Sequence, residues 1–241
     1  MSKIVTIHQP EHLPWMGFFN KVAKADEFVI LDSVPFEKNY FQNRNRICGT
    51  NGMQWLGIPV TSKGHLHGTI AQTPIAKDLR WQTKYLRTIR DAYGKHPYFN
   101  DIYDSLENII LSKDCYIADM NISIIKLFLD GFRIKTTLIR SSDYDFCGKK
   151  SDLILDICKK RNATTYLSGP FGREYLDHKS FDTADIKVGF NDYNHPSYPQ
   201  RKTSGFLSYL SALDLVMNVG YEEGYHLIMQ GNEGISYDWN H

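Results

Sequence analysis

"KIVTIHQPEHLPWMGFFNKVAKADEFVIL" occupies residues 3–31 and decides the fold class of the chain. Residues 3–7 and 28–31 are short runs rich in β-branched and aromatic side chains, a pattern typical of buried strands. Between them, apolar residues from Phe18 onward recur at helical spacing. Strand, helix and strand in this order predict a βαβ unit with parallel strands, and open α/β sheets bind ligands at the carboxyl ends of such strands.

The rest of the chain continues the alternation of strands and helices. Further strands are predicted at residues 54–60, 133–140, 164–169 and 185–190. Helices are predicted at residues 79–93, 100–111, 115–132, 151–163 and 204–220. Ser151 is a candidate N-cap, and Gly220 is the expected end of the last helix. We therefore predict an α/β fold, a mainly parallel open sheet with flanking helices, in a single domain of residues 1–241 with a mainly helical insertion at 79–131. A domain boundary near residue 79 or 132 is the alternative.

Composition and charge exclude several classes of protein. The chain has 241 residues, 42% of them hydrophobic, which is ample for a buried core. Its 28 basic and 27 acidic side chains leave a formal net charge of +1, so no global field favours nucleic acid or an anionic membrane surface. Any anion site must therefore be local.

The cysteines and the apolar runs indicate a cytoplasmic protein. The four cysteines form neither a CxxC pair nor a compact Cys/His group, which argues against structural zinc and against a disulfide scaffold. The opening MSKIVTIHQP lacks the apolar run of a signal peptide, and no window approaches the roughly 20 apolar residues of a membrane span. The HLH triplet at residues 65–67 has no third histidine or carboxylate at a telling distance, so no metal site is predicted.

Two predicted strands end in polar groups that a core would have to satisfy. His8 and Gln9 follow the first strand, and Asp32 ends the second. A dense group of basic and amide side chains comes next: Lys38, Asn43, Arg44, Asn45 and Arg46. Arginine forks and lysine charges hold phosphates, so this group predicts a diphosphate site. The alternative is a solvated loop that uses Asn for turns and Arg for surface packing.

Two later strand ends carry similar groups. Glycines in YLSGPFGREYL, residues 166–176, would let backbone amides approach a phosphate or carboxylate, although a tight turn is the alternative. FNDYNHPSYPQ, residues 190–200, alternates rings with hydrogen-bonding groups, as recognition of a base or sugar requires, and a stiff structural turn explains it equally. The candidates in these stretches are Ser168, Gly169, Tyr193, His195, Tyr198 and Gln200.

The order of these motifs resembles that of the WbqC-like proteins, which are found in bacterial surface-polysaccharide gene clusters. The resemblance lies in IHQPEHLPWMGFFNKVAKAD, FVILDSVPFEKNYFQNRNRI and WLGIPV, followed by YLSG, YNHPSYPQ and LSALDLVMNVG, and it covers nearly the whole chain. Its specific part is HQPxxLPWxGFxxK together with QNRNRI. The sequence departs at His12, where tyrosine is expected, which puts a catalytic duty for His12 in doubt.

The resemblance implies a transferase of O-antigen and lipopolysaccharide biosynthesis. The expected reaction is N-acylation or aminoacylation of the amine of a nucleotide-linked amino sugar. The acyl or aminoacyl donor would be a co-substrate, with no tightly bound cofactor. An acyl thioester, a charged carrier and an aminoacyl-tRNA stay open as donors; the small net charge weighs against tRNA, while a local basic patch would still allow it.

Amide formation needs an uncharged amine and stabilisation of a developing oxyanion. On this hypothesis His8 is the base, because histidine titrates near neutrality, and His195 is the reserve base. Asp32 orients His8 or binds the ammonium form, and Asn45 or a loop amide serves the oxyanion. The expected substrate-binding residues are Gln9, Lys38, Asn43, Arg44, Arg46, Ser168, Gly169, Tyr193, Tyr198 and Gln200.

Two alternatives come from other classes of protein. Strand, histidine-bearing loop, helix and acidic strand end are distantly similar to the nucleotidylyltransferase-type α/β fold, but Phe18 follows Gly17 where the second histidine of its HxGH signature is expected. A non-catalytic sugar-nucleotide-binding protein is the other alternative. Magnesium-dependent pyrophosphate release would favour the first, and tight binding without turnover would favour the second.

Overall fold

In a computed structural model of the chain, the described residues are 2–61, 68–78, 80–201, 205–232 and 234–239. The strands are β1 (Ile4–His8), β2 (Glu27–Ile30), β3 (Arg44–Gly49), β4 (Gly52–Gly57), β5 (Thr137–Arg140), β6 (Thr165–Ser168) and β7 (Lys187–Phe190). The helices are α1 (Met16–Ala23), α2 (Arg80–Tyr93), α3 (Phe99–Ile110), α4 (Ile117–Gly131), α5 (Ser151–Lys160), α6 (His178–Thr183) and α7 (Ala212–Gln230). Among the described residues, no helix combines the length and the apolar character needed to cross a membrane.

Five strands form one parallel sheet, which confirms the predicted α/β class. Their order is β5-β2-β1-β6-β7, and every neighbouring pair is parallel. The chain starts at the central β1, adds β2 and β5 on one side, and returns to the other side for β6 and β7. The direction of winding therefore reverses between β1 and β6, and a crevice opens at such a point outside the carboxyl ends of the strands.

Both faces of the sheet are covered, which explains the continuous apolar runs in its strands. Phe28 and Ile30 of β2 pack into a cluster with side chains of α1, α2, α3, α4 and α7. Val29, between them, faces the opposite way and joins a second cluster with residues of α5 and α6. The helices predicted at 79–131 are present as α2, α3 and α4, although Leu79 lies outside the described residues. The single-domain assignment with an insertion stays a prediction.

The strand predicted at 54–60 lies outside the main sheet. Its partner strand lies in the stretch predicted to hold phosphates, for which a solvated loop was the alternative. Arg44–Gly49 and Gly52–Gly57 pair as an antiparallel hairpin, and Gly52 at its turn has a φ of +98°, a value that glycine adopts without strain. Burial along β3 alternates, because Asn45 and Ile47 face inward while both arginines face outward. The buried asparagine concealed a strand pattern in the sequence.

The last helix begins later than predicted and is bent at the predicted stop. Its N-cap is Ser211, whose Oγ accepts a hydrogen bond from Leu213 N at 3.1 Å. Gly220 has a non-helical conformation with a φ of +80°, after which the chain forms further helical turns to Gln230. Ser151 is not the N-cap of α5, because Lys150 occupies that position and the Ser151 hydroxyl accepts from Asp177 N instead.

Candidate active site

A pocket of about 530 Å³ lies outside the carboxyl ends of β1, β6 and β7. It occupies the reversal point of the sheet, since it is lined by His8 at the end of β1 and by Gly169 directly after β6. Its volume is in the range of small-molecule sites, and seven of its sixteen lining residues are Phe, Trp or Tyr. Its polar lining consists of His8, Glu11, Lys21, Asn45, Arg46 and Asn191.

The loop between β1 and α1 is held in a strained conformation by two buried asparagines. Leu13 has a φ of +43°, which L-residues seldom adopt. Asn45 donates both amide hydrogens to the loop, to His12 O at 3.1 Å and to Leu13 O at 2.9 Å. Asn121 on α4 donates to Pro10 O at 2.8 Å. These bonds fix the loop and therefore the position of the pocket side chains it carries.

Glu11 is a buried carboxyl group whose pKa lies near neutrality. Only 9% of the residue is exposed, and burial raises its pKa to about 7, against an opposing effect of the nearby Lys21 ammonium. Its Oε2 is buried and has no hydrogen-bond partner among the described residues. Burial in turn lowers the pKa of Lys21 to about 8, although Glu11 favours its charged form. The pocket thus contains an acid and an amine that titrate on either side of pH 7.5.

His8 stays neutral beside this pair. Burial, together with the positive charge of Lys21, lowers the pKa of His8 to about 3. Its Nδ1 lies 3.1 Å from Gln9 O, which can only accept, so Nδ1 carries the proton. The lone pair on Nε2 then faces Glu11 Oε1 at 3.8 Å. A group with so low a pKa is a weak proton acceptor.

Trp15 joins the first loop to the segment at 190–200. A Cβ at Gly17 would collide with its indole, so glycine is needed for the ring to lie over the start of α1. The indole meets the Tyr193 ring edge-on at a centroid distance of 5.4 Å and stacks on His195 at 6.2 Å. Tyr209 completes this wall, 5.6 Å from Trp15. Two sequence motifs almost 180 residues apart therefore meet at the pocket.

Arg46 supplies a positive charge to the pocket. Its guanidinium lies 6.0 Å from the rings of Phe41 and Trp55, and its Nε is buried without a hydrogen-bond partner. Within the described part of the chain it forms no ion pair. An anionic ligand would complete its hydrogen bonding.

The structure brings five of the predicted site residues to this pocket and places nine elsewhere. Those that line it are His8, Asn45, Arg46, Gly169 and Tyr193. Those that do not line it are Gln9, Asp32, Lys38, Asn43, Arg44, Ser168, His195, Tyr198 and Gln200. Asn43 and Arg44 line a neighbouring groove instead, and Lys38 is exposed and lines neither cavity.

Asp32 does not orient His8, because its carboxylate is fully engaged elsewhere. It accepts from Arg140 Nε at 2.8 Å and from the Ser142 backbone and hydroxyl at 2.9 Å each. Ser141 Oγ adds a bond of 3.2 Å. The group is completely buried and ties the end of β2 to the residues after β5. The position of Asp32 at a strand end was predicted correctly, but its hydrogen-bonding partner was not.

Other candidates also serve the framework. Tyr198 and Gln200 donate to the buried Asp214 at 2.9 and 3.0 Å, which anchors their segment on α7. Gln9 accepts from Gln42 Nε2 at 2.7 Å. Ser168 is buried directly beneath Gly172, where a Cβ would collide with its hydroxyl.

His195 lies behind Trp15, outside the pocket lining. Its Nδ1 is 2.8 Å from Pro196 O and donates to it, and burial lowers the pKa of the ring. Asn45 lines the pocket, but both of its amide hydrogens are used by the loop, so it has none left for an oxyanion. His12 is buried between Tyr85 OH, at 2.8 Å, and Asn121 Oδ1, at 3.1 Å.

Sequence reasoning missed Glu11 and Lys21. Both were present in HQPxxLPWxGFxxK, where Glu11 occupies an unspecified position and Lys21 is the final lysine. Lys21 is the sixth residue of α1, a helix that contains two phenylalanines, so its ammonium had to face either solvent or a cavity. Among the described residues, no group of three or more His, Cys, Asp or Glu side chains is arranged to hold a metal ion, and the HLH triplet at 65–67 lies outside them.

The model of the WbqC-like protein family matches residues 9–226. The chain belongs to the WbqC-like protein family. The matched range contains Glu11, Lys21, Arg46 and Tyr193. All residues that line the pocket except His8 therefore lie within the part of the chain that matches the family. The uncharacterized protein Rv1507c of Mycobacterium tuberculosis is 34% identical over 221 residues, which cover 91% of this chain and 95% of that protein. No solved structure matches the WbqC-like chain significantly.

Proposed function

We propose that the chain is a transferase that acylates or aminoacylates the amine of a nucleotide-linked amino sugar in bacterial surface-polysaccharide biosynthesis. The observation that carries the proposal is the presence, in one ring-lined pocket, of Glu11 with a pKa of about 7 and of Arg46 without a counterion among the described residues. The first group suits the removal of a proton from an amine, and the second suits the phosphates of the substrate. The sugar assignment rests on the gene-cluster association of the family.

Phosphate binding is supported by two features that face the same space. Arg46 lines the pocket, and so does Gly17 in the first turn of α1. The amides of a first helical turn lack acceptors within the helix, and the helix terminus favours negative charge. A diphosphate between these features would leave the aromatic wall for the base or the sugar.

The role assigned to Glu11 is to accept a proton from the nitrogen of the substrate amine. The substrate ammonium gives up one proton to become a nucleophile, its nitrogen attacks the donor carbonyl carbon, and a second proton leaves as the amide forms. Glu11 accepts a proton from the nitrogen, while the bond from the carbonyl carbon to the donor's leaving group breaks and that group leaves with a proton. A carboxyl group with a pKa near 7 serves this role better than His8, whose pKa is about 3.

Lys21 tunes the base. At pH 7 an amine with a pKa of about 8 is mainly protonated, and its charge favours the carboxylate form of Glu11. The same ammonium lies in the pocket where charge develops on the carbonyl oxygen. Lys21 therefore has two electrostatic roles, one on the base and one on the reacting carbonyl.

The Lys21→Met variant is expected to move the acidic limb of the pH profile of kcat/KM to higher pH. In the wild type, activity should rise through about pH 7 as Glu11 loses its proton. Removing the ammonium removes the effect that lowers the pKa of Glu11, so the variant requires a higher pH for the same ionisation. The profile is measured from pH 5.5 to 9 with one acyl donor.

Lys24→Met is the matched control for that prediction. Lys24 directly follows α1, burial likewise lowers its pKa to about 8, and it does not line the pocket. Its ammonium is bonded to Asn191 Oδ1 and to Gly234 O. The acidic limb should stay in place in this variant. If the acidic limb of the kcat/KM profile moved in Lys24→Met but not in Lys21→Met, the assigned effect of Lys21 on Glu11 would be contradicted.

The direct test is an activity screen with defined acceptors. Nucleotide-linked amino sugars and their non-amino counterparts are incubated with acyl thioesters or aminoacyl donors, and mass spectrometry records amide formation. Acylation of only the amino sugars supports the proposal. Magnesium-dependent release of pyrophosphate without amide formation would support the nucleotidylyltransferase alternative and reject acyl transfer, and tight sugar-nucleotide binding with no product would indicate a binding protein.

A further inference from the structure

A second cavity lies between the β3–β4 hairpin and α2. It has a volume of about 440 Å³, and its lining includes Asn43, Arg44, Trp55, Trp81 and Lys84. Arg44 and Asn43 were predicted from the sequence to bind substrate, but the pocket at the sheet edge does not use them. We call this cavity the hairpin groove.

Two buried polar atoms in the hairpin groove lack hydrogen-bond partners among the described residues. One is the acceptor Asn43 Oδ1, and the other is the donor Arg44 Nε. The Asn43 amide is oriented by its own Nδ2, which donates to Ile58 O at 3.1 Å and leaves Oδ1 unused. Buried groups without partners cost free energy, so an unpaired acceptor and an unpaired donor on two consecutive residues of the groove lining indicate a ligand that satisfies both.

The position of Arg44 is fixed by packing. Its guanidinium lies over the Trp55 ring, 4.3 Å from the centroid. Its cross-strand partner is Gly57, where a Cβ would come within 2.9 Å of Arg44 Cβ. The glycine therefore allows the arginine to lie flat between the strands and the indole. A cation held in this way needs little reorganisation to bind an anion.

Positive charge at the groove comes from Arg44 and Lys84. Arg80 and Arg87 flank Lys84 on α2, but Arg80 is paired with Asp78, and Arg87 Nε lies 3.6 Å from Asp91. Within the described residues, neither Arg44 nor Lys84 forms an ion pair. These two side chains are the ones available for an anionic group.

One row of neighbouring side chains links the hairpin groove to the pocket. Trp55 lies directly opposite Arg46 in the hairpin register, and the guanidinium of Arg46 is 6.0 Å from its ring. The guanidinium of Arg44 lies over the same indole. About half of Trp55 is exposed, which leaves its ring accessible along this row.

We propose that the hairpin groove binds the nucleoside phosphate part of a co-substrate, with the phosphate on Arg44 and Lys84. Its base lies against Trp81 or Trp55, and a ribose hydroxyl or base N–H donates to Asn43 Oδ1. The identification of that co-substrate as the acyl donor rests on the proposed function, whereas the nucleotide site itself does not. Donor and acceptor then lie at the two ends of the row formed by Arg44, Trp55 and Arg46.

The test is titration with ADP, followed by tryptophan fluorescence and by calorimetry. Arg44→Gln and Lys84→Gln should each weaken binding by on the order of tenfold, because each removes a charged hydrogen bond to phosphate. Lys84 is exposed, so its variant tests the groove even where Arg44→Gln does not fold. Arg87→Gln is the matched control, since it removes an exposed cation of the same helix that is already paired with Asp91, and it should leave the Kd unchanged.

Inorganic pyrophosphate is the second probe, and it should bind at least tenfold more weakly than ADP because it lacks the ring. An ADP Kd that is the same in wild type, Arg44→Gln and Lys84→Gln would overturn the proposal, and so would pyrophosphate binding as tight as that of ADP. Loss of all ADP binding in Arg46→Gln alone would place the nucleotide in the pocket and also overturn it. ADP bound in the groove by a protein without acyl-transfer activity would support the site and reject only the proposed function.

Discussion

Glu11→Gln is expected to lower kcat by on the order of 10² to 10⁴, the usual contribution of a positioned general base. Glutamine keeps the shape of the side chain and cannot accept the proton of the substrate amine. His8→Ala should have a smaller effect on kcat, since a histidine with a pKa of about 3 contributes little as a base. Comparison of the two variants with one amino-sugar acceptor decides which residue is the base.

The same Glu11→Gln variant should be more stable than the wild type in alkaline solution. The pKa of Glu11 is raised from 4.5 to about 7 on folding, so the folded state holds its proton more tightly than the unfolded state. Stability contributed by this group is therefore present below pH 4.5 and is lost as the pH rises to about 7. Above that pH, removing the buried charge should stabilise the fold by on the order of 1–3 kcal/mol, a net value that already includes the attraction to Lys21.

Urea unfolding of both proteins at pH 5 and pH 8 measures this effect. The stability of the variant relative to the wild type should be greater at pH 8 than at pH 5. A variant that gains stability while losing turnover has lost a group retained for chemistry. A variant with wild-type kcat would remove Glu11 from the mechanism, and equal stability differences at the two pH values would show that its pKa is not raised.

The position of the pocket could be predicted from the sequence. The residues that carry its proposed chemistry could be predicted only in part. The βαβ pattern at residues 3–31 predicted which loop meets the ligand edge, and the pocket lies there. The base proposed here could not be identified from the sequence, because glutamate titrates near 4.5 until burial changes its pKa, and burial depends on the whole fold. Sequence reasoning chose His8 for its ordinary pKa, and the same burial makes that residue a poor base.

Hydrogen-bonding partners that are distant in sequence were the second reason why predictions of site residues were wrong. Asp32 was correctly expected at a strand end, but its partner Arg140 lies on β5, more than a hundred residues later in the chain. The hairpin was hidden because Asn45 occupies an inward position of β3, where a strand pattern calls for an apolar residue. Both cases involve a buried polar group whose partners are distant in sequence, and local periodicity contains no information about such pairs.

Asn45→Ala is expected to lower the free energy of unfolding by about 3 kcal/mol, because it leaves two buried carbonyl groups without donors. Those carbonyls belong to His12 and Leu13, in the loop whose positive φ the amide bonds sustain. Asn43→Ala is the matched control: it is the same change two residues away, it removes one donated bond, and it should cost about 1 kcal/mol. Denaturant unfolding of the three proteins measures the difference.

The Asn45 result also separates two explanations of the QNRNRI motif. If Asn45 donated to the oxyanion, its loss would slow turnover by about 10² or more while stability stayed within about 0.5 kcal/mol of the wild type. The structure assigns both hydrogens of its amide to the loop, so the loss of stability should come first and turnover should fall through displacement of the loop that carries Glu11. On that view the two most specific motifs of the chain occur together because the hairpin asparagine fixes the loop by hydrogen bonds, and the loop positions Glu11, the proposed base.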